Sequence, residues 1–182
     1  MSTTPKVVSA TELDNPLIGD TIQVSVITED LHRGLDHLVT LGIGPFMAFE
    51  VNPQNALELT FEGEPAEFSM ILAFATHQNM MWEVVQPLSG RTIYSDFLEA
   101  GHQGLHHVGI SCNGIPYEER AAELVRRGYR YMMGGRAFNG DVPFGYFQPQ
   151  DPTAPIVEIF DFPEGFAPTP DFWYPTAPPE LG

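Results

Sequence analysis

Four polar residues of the sequence have the right types to share one divalent metal ion. They are an amide, an imidazole and two carboxylates, contributed by Gln23, His107, Glu83 and Glu158. This oxygen-rich set without a thiolate suits a first-row ion such as Zn, Ni, Co, Mn or Fe. Such an ion lowers the pKa of a carbon acid beside a carbonyl, and a nearby carboxylate can move the proton. Taken singly, however, a histidine is more often a core residue, and a glutamate often pairs with an arginine.

The residues around these four positions predict β-strands that aim them in one direction. Gln23 lies in IQVSVITED (22–30) and His107 in HHVGISCNG (106–114), and side chains alternate between the two faces of a strand. Glu83 and Glu158 lie in mid-strand between apolar neighbours, where an unpaired carboxylate is costly to bury. The opposite face of the first strand keeps an apolar set expected to pack under a helix: Ile22, Val24 and Val26.

These strands belong to an internal repeat. His107 follows Gln23 by 84 positions, and the predicted helices 30–41 and 117–127 end in LVTLG and LVRRG. Each helix precedes three predicted strands: 45–51, 67–75 and 80–86 in the first copy, and 129–134, 144–148 and 155–161 in the second. Glu158 follows Glu83 by only 75 positions, so we expect the second copy to lack residues of the hairpin region 52–66.

The repeat predicts an α+β fold of two βαβββ modules that form a cupped mixed sheet. The alternative is an unrelated α+β domain whose strands look alike by chance. The expected organisation is an N-terminal arm (1–20), a first module (21–87), a connection (88–104), a second module (105–162) and a C-terminal arm (163–182). This last arm is rich in proline and aromatic residues. It either packs over its own sheet or serves as a subunit contact or a lid on a pocket.

Composition narrows the class of partner. Eight basic residues against 24 acidic ones give a net charge of −16, which disfavours nucleic acids and anionic membrane surfaces. No apolar run is long enough to cross a bilayer. The first residues lack a signal-peptide pattern, and the single cysteine, Cys112, excludes an intramolecular disulfide. We therefore expect a cytoplasmic protein with a small-molecule substrate, assembled as a homodimer whose modules pair within one chain or across two.

Three segments resemble the vicinal oxygen chelate superfamily, which includes glyoxalase I, methylmalonyl-CoA epimerase, extradiol dioxygenases and bleomycin-resistance proteins. They read GLHHVGISC (104–112), WEVVQPLSG (82–90) and IVEIFDFP (156–163), and the resemblance covers about residues 20–162. It implies a cupped sheet with a metal inside, held by ligands from the first and last strands of each module. Those positions are Gln23, Glu83, His107 and Glu158.

The resemblance is divided between two members of the superfamily. The ligand set is similar to that of some glyoxalases I, whereas EVNPQN (50–55) and SDFLEAGHQGLHH (95–107) are similar to methylmalonyl-CoA epimerase. The epimerase pattern places a glutamate base near 67–70. Here that stretch reads EFSM, so Glu67 is a candidate only if the register allows, and otherwise Phe68 occupies this position. Both families bind anionic thiol cofactors, which a chain of charge −16 disfavours.

The chemistry implied by the resemblance is proton transfer next to a carbonyl, as in an isomerase, epimerase or lyase. Glu158 is the first candidate for the base and Glu83 the second. The predicted cavity walls are apolar or aromatic and suit a cyclic or apolar substrate, unless these residues only fill the core: Met70, Trp82, Phe138, Phe144 and Tyr146. Arg136 lies in the loop GGRAFNGDVPFG (134–145), where it meets a substrate carboxylate or is a solvated surface charge.

Three other functions remain open at this point. A metal-free protein could sequester a small molecule, as resistance proteins do. An extradiol-type dioxygenase would need two histidines and a carboxylate, but Gln23 occupies the position of the second histidine. An isomerase or cyclase of a biosynthetic pathway, acting on an apolar ring, is a special case of the main hypothesis.

Overall fold

The computed structural model describes residues 20–151 and 153–179, so the predicted arm 1–20 lies almost wholly outside the described residues. The described part contains three α-helices and one open, curved sheet of 11 strands. The expected α+β class is therefore confirmed. The division of the chain at 20, 87, 104 and 162 stays a proposal.

The first repeat contains one helix and six strands. They are β1 (Thr21–Ile27), α1 (Leu31–Thr40), β2 (Phe46–Val51), β3 (Leu57–Phe61), β4 (Glu64–Pro65), β5 (Ser69–His77) and β6 (Met80–Ser89). A short helix, α2 (Ile93–Glu99), follows in the connection. It begins with a capping box, in which the Thr92 hydroxyl accepts from Ser95 N and the Ser95 hydroxyl accepts from Thr92 N.

The second repeat has the simpler order that the sequence predicts. It consists of β7 (Gly104–Ser111), α3 (Tyr117–Arg126), β8 (Arg130–Ala137), β9 (Val142–Gln148) and β10 (Ile156–Phe160). A 3₁₀ turn (Phe138–Gly140) separates β8 from β9, and a last strand, β11 (Phe172–Tyr174), forms within the C-terminal arm.

The two repeats meet in the middle of the sheet through their first strands. The strand order is β11-β2-β5-β6-β1-β7-β10-β9-β8-β3-β4. β1 and β7 are antiparallel, while each is parallel to the closing strand of its own repeat, β6 or β10. The four strands predicted to carry the metal ligands are therefore direct neighbours, in the order β6, β1, β7, β10.

Helix α1 lies outside the sheet of the first repeat. The side chain of Asp30 caps it by accepting from Arg33 N at 3.1 Å, and the buried face carries Leu31, Leu35 and Leu38. These leucines pack against residues of β2, β5 and β6. The prediction that Ile22, Val24 and Val26 pack under the helix is wrong for Ile22 and stays a prediction for Val24 and Val26. Ile22 packs instead against the hydrophobic core inside the curved sheet.

The extra residues of the first repeat leave it and join the second. β3 pairs with β8, and β4 folds back on β3, so the region 52–66 extends the far edge of the sheet. At the other edge, β11 pairs with β2, so this part of the C-terminal arm lies on its own sheet. The outermost strands, β4 and β11, have only two and three residues, a length that limits edge-to-edge association.

Candidate metal centre and cavity

The four predicted ligands converge inside the curved sheet. Nε2 of His107 lies 3.3 Å from Oε2 of Glu83 and 3.2 Å from Oε2 of Glu158. Nε2 of Gln23 donates to the same two carboxylate oxygens at 3.0 and 2.8 Å. Each of the four residues is at most 5% exposed. Ligand atoms of the histidine and both glutamates all lie within 4.8 Å of one another.

Two small residues make this convergence possible. Gly109 of β7 stands between Gln23 on β1 and Glu158 on β10. A Cβ on Gly109 would lie 2.7 Å from the Cβ of Gln23, closer than such atoms approach. Ser25 of β1 stands between Glu83 on β6 and His107 on β7 in the same way. Ser25 and Gly109 occupy equivalent positions of the repeat, 84 residues apart.

We call Gln23, Glu83, His107 and Glu158 the cluster. Its burial changes the pKa of His107 and of Glu158. Desolvation lowers the pKa of His107, but hydrogen bonds to Glu158 and Glu83 and their charges outweigh it and raise the pKa to about 9. Desolvation raises the pKa of Glu158, and the charge of Glu83 adds to this, although hydrogen bonds from His107 and Tyr146 oppose it. A buried carboxyl with a raised pKa is suited to accept and return a proton.

Two buried tyrosines adjoin the cluster. The hydroxyl of Tyr146 donates to Oε1 of Glu158 at 2.6 Å. Desolvation and the charge of Glu158 raise the pKa of Tyr146 well above its usual value, so it stays protonated as the donor. Tyr94 of α2 stacks on the ring of His107 at 6.2 Å and meets Tyr146 edge-on at 5.7 Å.

The ring of His106 contacts that of His107, although strand alternation predicts that the two point to opposite faces. Its Nδ1 lies 3.0 Å from Nδ1 of His107, and its ring meets Phe97 edge-on. The register of β1 with β7 shifts between Ser25 and Val26, which breaks the alternation at this point. Desolvation, with a contribution from His107, lowers the pKa of His106 to about 3. A neutral His106 can accept from Nδ1 of His107 and so direct Nε2 towards the carboxylates.

A small apolar cavity adjoins the cluster, and we call it the inner cavity. Gln23, Glu83 and Glu158 form its polar end, and its free space is about 30 Å³, enough for one or two water molecules. Four of the predicted substrate-binding residues line it: Met70, Phe138, Phe144 and Tyr146.

The other two predicted substrate-binding residues lie elsewhere. Trp82 is on the opposite face of β6 from Glu83 and packs against the cluster under α1, because adjacent residues of a strand point to opposite faces. Arg136 is tied to its own loop, where its Nε donates to the carbonyl of Gly140 at 2.8 Å. Neither residue is part of the lining of the inner cavity.

Sequence reasoning missed other residues of the inner cavity: Leu72, Phe74, Ala137, Val142, Phe160 and Phe162. Strand alternation could have found four of them. Leu72 and Phe74 share a face with Met70, and Phe160 and Phe162 follow Glu158 at even spacing. Glu67 is exposed, and Phe68 is buried in the hydrophobic core inside the curved sheet. No carboxylate of residues 67–70 therefore reaches the cavity.

Phe138 is held at the rim of the inner cavity in an unusual backbone conformation. Its φ is 53° and that of Asn139 is 58°, a region that bulky residues rarely adopt. The turn is fixed by a hydrogen bond from Asn139 N to the carbonyl of Asn55 at 2.7 Å. The ring of Phe138 meets Phe49 and Phe166 edge-on at 5.2 and 5.1 Å. Such strain persists only where the surroundings enforce it, and it is concentrated at ligand sites.

The donor set fits a divalent metal ion. Two carboxylates and one imidazole of the cluster are buried and aimed at one point, and Gln23 can present its amide oxygen by a half-turn of the amide. Like charges so close inside a protein need a cation or a proton between them. Arg120 is the one buried arginine of the described residues, and it serves elsewhere by donating to the carbonyl of Cys112 at 2.8 Å.

Within the described residues, no helix is both long and apolar enough to cross a membrane.

The chain is similar in sequence or in fold to several known proteins. Residues 22–146 match the model of the Glyoxalase/Bleomycin resistance protein/Dioxygenase superfamily. A hypothetical protein from Bacillus halodurans C-125 has a similar structure, with 16% identity, a TM-score of 0.60, and coverage of 82% of this chain and 98% of that chain. No curated protein matches the sequence.

Methylmalonyl-CoA epimerases also have similar structures. A Streptomyces coelicolor variant in complex with 2-nitronate-propionyl-CoA has 16% identity and a TM-score of 0.56, over 83% of this chain and 99% of that chain. The Mycobacterium tuberculosis epimerase has 13% identity and a TM-score of 0.54, over 83% of this chain and 93% of that chain. At such identities the likeness concerns the fold.

Proposed function

Because the chain belongs to the Glyoxalase/Bleomycin resistance protein/Dioxygenase superfamily, we propose that it is a metal-dependent isomerase, epimerase or lyase that transfers a proton next to a carbonyl. The observation that carries this proposal is the buried group of Glu83, His107 and Glu158, joined by Gln23. These four residues would hold one divalent ion: Zn, Ni, Co, Mn or Fe. When bound, the ion would polarise the substrate carbonyl and so acidify the adjacent carbon.

Glu158 is the proposed base. It lies at the polar end of the inner cavity, where it would leave the metal to take the proton from carbon and then return it. Tyr146 holds Oε1 of Glu158 at 2.6 Å and so orients the carboxylate. Glu83 is the second candidate, since it too lines the inner cavity.

The apolar walls exclude water from the reacting carbon. Met70, Leu72, Phe74 and Phe144 surround the polar end of the inner cavity, so few water molecules reach the reacting carbon while the substrate is bound. The walls also favour a small, apolar or cyclic substrate over a charged one, because none of the described residues lining this space is basic. Other members of the fold act on CoA esters, but the net charge of −16 disfavours such a carrier here.

Two alternatives are less well supported. A metal-free sequestering protein has no need of two convergent buried carboxylates. An extradiol-type dioxygenase needs two histidines, whereas the convergent group of the described residues holds one.

We also propose that the protein is a homodimer in the cytoplasm, which light scattering in solution and fractionation of cells would test.

The proposed reaction can be tested without knowing the product. The metal-loaded protein is incubated in D₂O with small linear and cyclic α-hydroxyketones, and deuterium at the carbon beside the carbonyl is followed by NMR. We expect exchange above the buffer rate, lost in Glu158→Gln and kept in Trp82→Phe, which alters the outer face of β6. Full exchange in Glu158→Gln would contradict the role of Glu158.

A further inference from the structure

A second and larger apolar cavity lies beside the first, and we call it the outer cavity. It has about 360 Å³ of free space. Its walls come from β2 and β6, through Met47, Phe49 and Met81, and from the C-terminal arm, through Pro163, Phe166 and Pro168. Its volume falls within the usual range of small-molecule sites.

The two cavities share walls. Phe74, Phe138 and Phe162 line both the inner and the outer cavity. Phe138 is the residue with the left-handed backbone, and its ring lies between Phe49 and Phe166 of the outer cavity. The outer cavity therefore lies next to the site that holds Glu83 and Glu158, with these three rings between them.

Size divides the roles of the two spaces. The inner cavity, with about 30 Å³ free, admits only the reacting end of a molecule. A larger substrate needs space beyond the inner cavity, and the outer cavity on the other side of Phe138 has about 360 Å³ free. The strained turn at Phe138 and Asn139 is the element whose movement would open a passage between the two cavities.

The uncharged, apolar lining of the outer cavity suits a hydrocarbon group. None of the described residues that line it carries a charge, and its surface is built from phenylalanine, methionine and proline. Aromatic rings and thioethers pack well against hydrocarbon and offer nothing to a phosphate. The arm that closes the cavity is fixed to β2, because Asp171 N donates to the Ala48 carbonyl at 2.9 Å and its side chain accepts from Glu50 N at 2.7 Å.

We propose that the substrate is an amphiphile whose compact oxygenated head enters the inner cavity and whose extended hydrocarbon portion lies in the outer cavity. This inference rests on the proposed function, since the head is the part that reacts at Glu158. It assigns Met47, Phe49 and Phe166 to recognition of the hydrocarbon, and it makes Phe138 the partition between head and tail.

The test uses hydroxamic acids of increasing chain length, from acetohydroxamate to octanohydroxamate, and the full-length protein loaded with Zn²⁺. The two oxygens of a hydroxamate are bonded to neighbouring atoms and can both bind one metal ion. Calorimetry gives the affinity of each compound. Beyond the shortest members we expect the affinity to rise about fourfold per methylene buried, a factor equivalent to about 0.8 kcal/mol. An affinity that is flat along the series would overturn the proposal.

Variants localise the effect. Met47→Glu places a charge in the wall of the outer cavity and should abolish the dependence on chain length while the affinity for acetohydroxamate stays the same. Val125→Glu, at a residue 54% exposed on α3, is the matched control and should behave as the wild type. Phe166→Ala is a second variant, should Met47→Glu fold poorly, and should weaken the dependence. Wild-type dependence in either variant of the outer cavity would contradict the assignment.

Binding of 1-octanol to the metal-free protein separates the two proposals. Octanol has no chelating head, so its binding and the loss of binding in Met47→Glu report on the outer cavity alone. If acetohydroxamate fails to bind the zinc-loaded protein, the proposed function fails, whereas octanol binding still supports the outer cavity. If octanol does not bind, the outer cavity is not a hydrocarbon site.

Discussion

Tyr146 stands directly opposite Glu158 in the antiparallel pair of β9 and β10, and its hydroxyl donates to Oε1 of that carboxylate at 2.6 Å. The other oxygen, Oε2, faces Gln23 and His107. One carboxylate therefore has two distinct oxygens, one held by a phenol and one directed at the cluster. Tyr146 is in this sense a positioning residue for the proposed base.

Tyr146→Phe should weaken both stability and catalysis. It leaves Oε1 of a buried carboxylate without its donor, so we expect the free energy of unfolding in urea to fall by about 1.5–3 kcal/mol. The rate constant of proton transfer should fall about tenfold, the effect of about 1.4 kcal/mol at the barrier, with little change in KM. Tyr131→Phe is the control, because the Tyr131 hydroxyl is hydrogen-bonded to the partly buried Thr60 hydroxyl and not to the cluster. That substitution should cost about 1 kcal/mol and leave the rate constant unchanged. Equal effects of the two substitutions would contradict the role of Tyr146.

Substitution by alanine should be harmful at Gly109 and tolerated at the repeat-equivalent residue Ser25. Gly109→Ala places a Cβ 2.7 Å from the Cβ of Gln23, so we expect a loss of about 1–3 kcal/mol in unfolding free energy and weaker Zn²⁺ binding. In Ser25→Ala the buried hydroxyl that is lost has no hydrogen-bond partner among the described residues, so stability should stay the same or rise. Urea unfolding and zinc titration measure both. A tolerated Gly109→Ala with a damaging Ser25→Ala would refute this account of the spacing.

Cys112 should resist alkylation in the folded protein. Desolvation raises the pKa of its thiol to about 11, with the charge of Asp161 adding to this. The thiolate is the reactive form, so raising the pKa lowers the reactive fraction at pH 8. We expect modification by iodoacetamide to be at least tenfold slower than in urea-unfolded protein, as measured by mass spectrometry. The rate should rise with pH towards 11, and fast modification at pH 7 would be incompatible with the buried position.

Removal of β11 should promote association. A chain ending at residue 168 leaves the edge of β2 without its partner strand and without the hydrogen bond to Asp171. We expect larger particles in dynamic light scattering and a lower melting temperature. A chain ending at residue 179 keeps β11 and is the control. If the two truncated chains behave alike, the strand pairing of β11 contributes nothing measurable.

The sequence predicted the centre of the molecule better than its edges. The repeat and strand alternation predicted that Gln23, Glu83, His107 and Glu158 lie together, and they do, because each faces the same side of one of four neighbouring strands. Trp82 was misplaced although the same alternation puts it opposite Glu83. The pairing of β3 with β8 joins residues far apart in the chain, which no local pattern predicts. The contact of His106 with His107 depends on a register shift that also has no local signal.

The metal content of the purified protein tests the central claim most directly. After dialysis against metal-free buffer, mass spectrometry of the elements should find one divalent first-row ion per chain in the wild type. It should find less than a tenth of that in His107→Ala and in a Glu83→Gln, Glu158→Gln double variant, while circular dichroism shows that each variant remains folded. No bound metal in the wild type after supply of Zn, Ni, Co, Mn or Fe, or equal metal in the variants, would contradict the account.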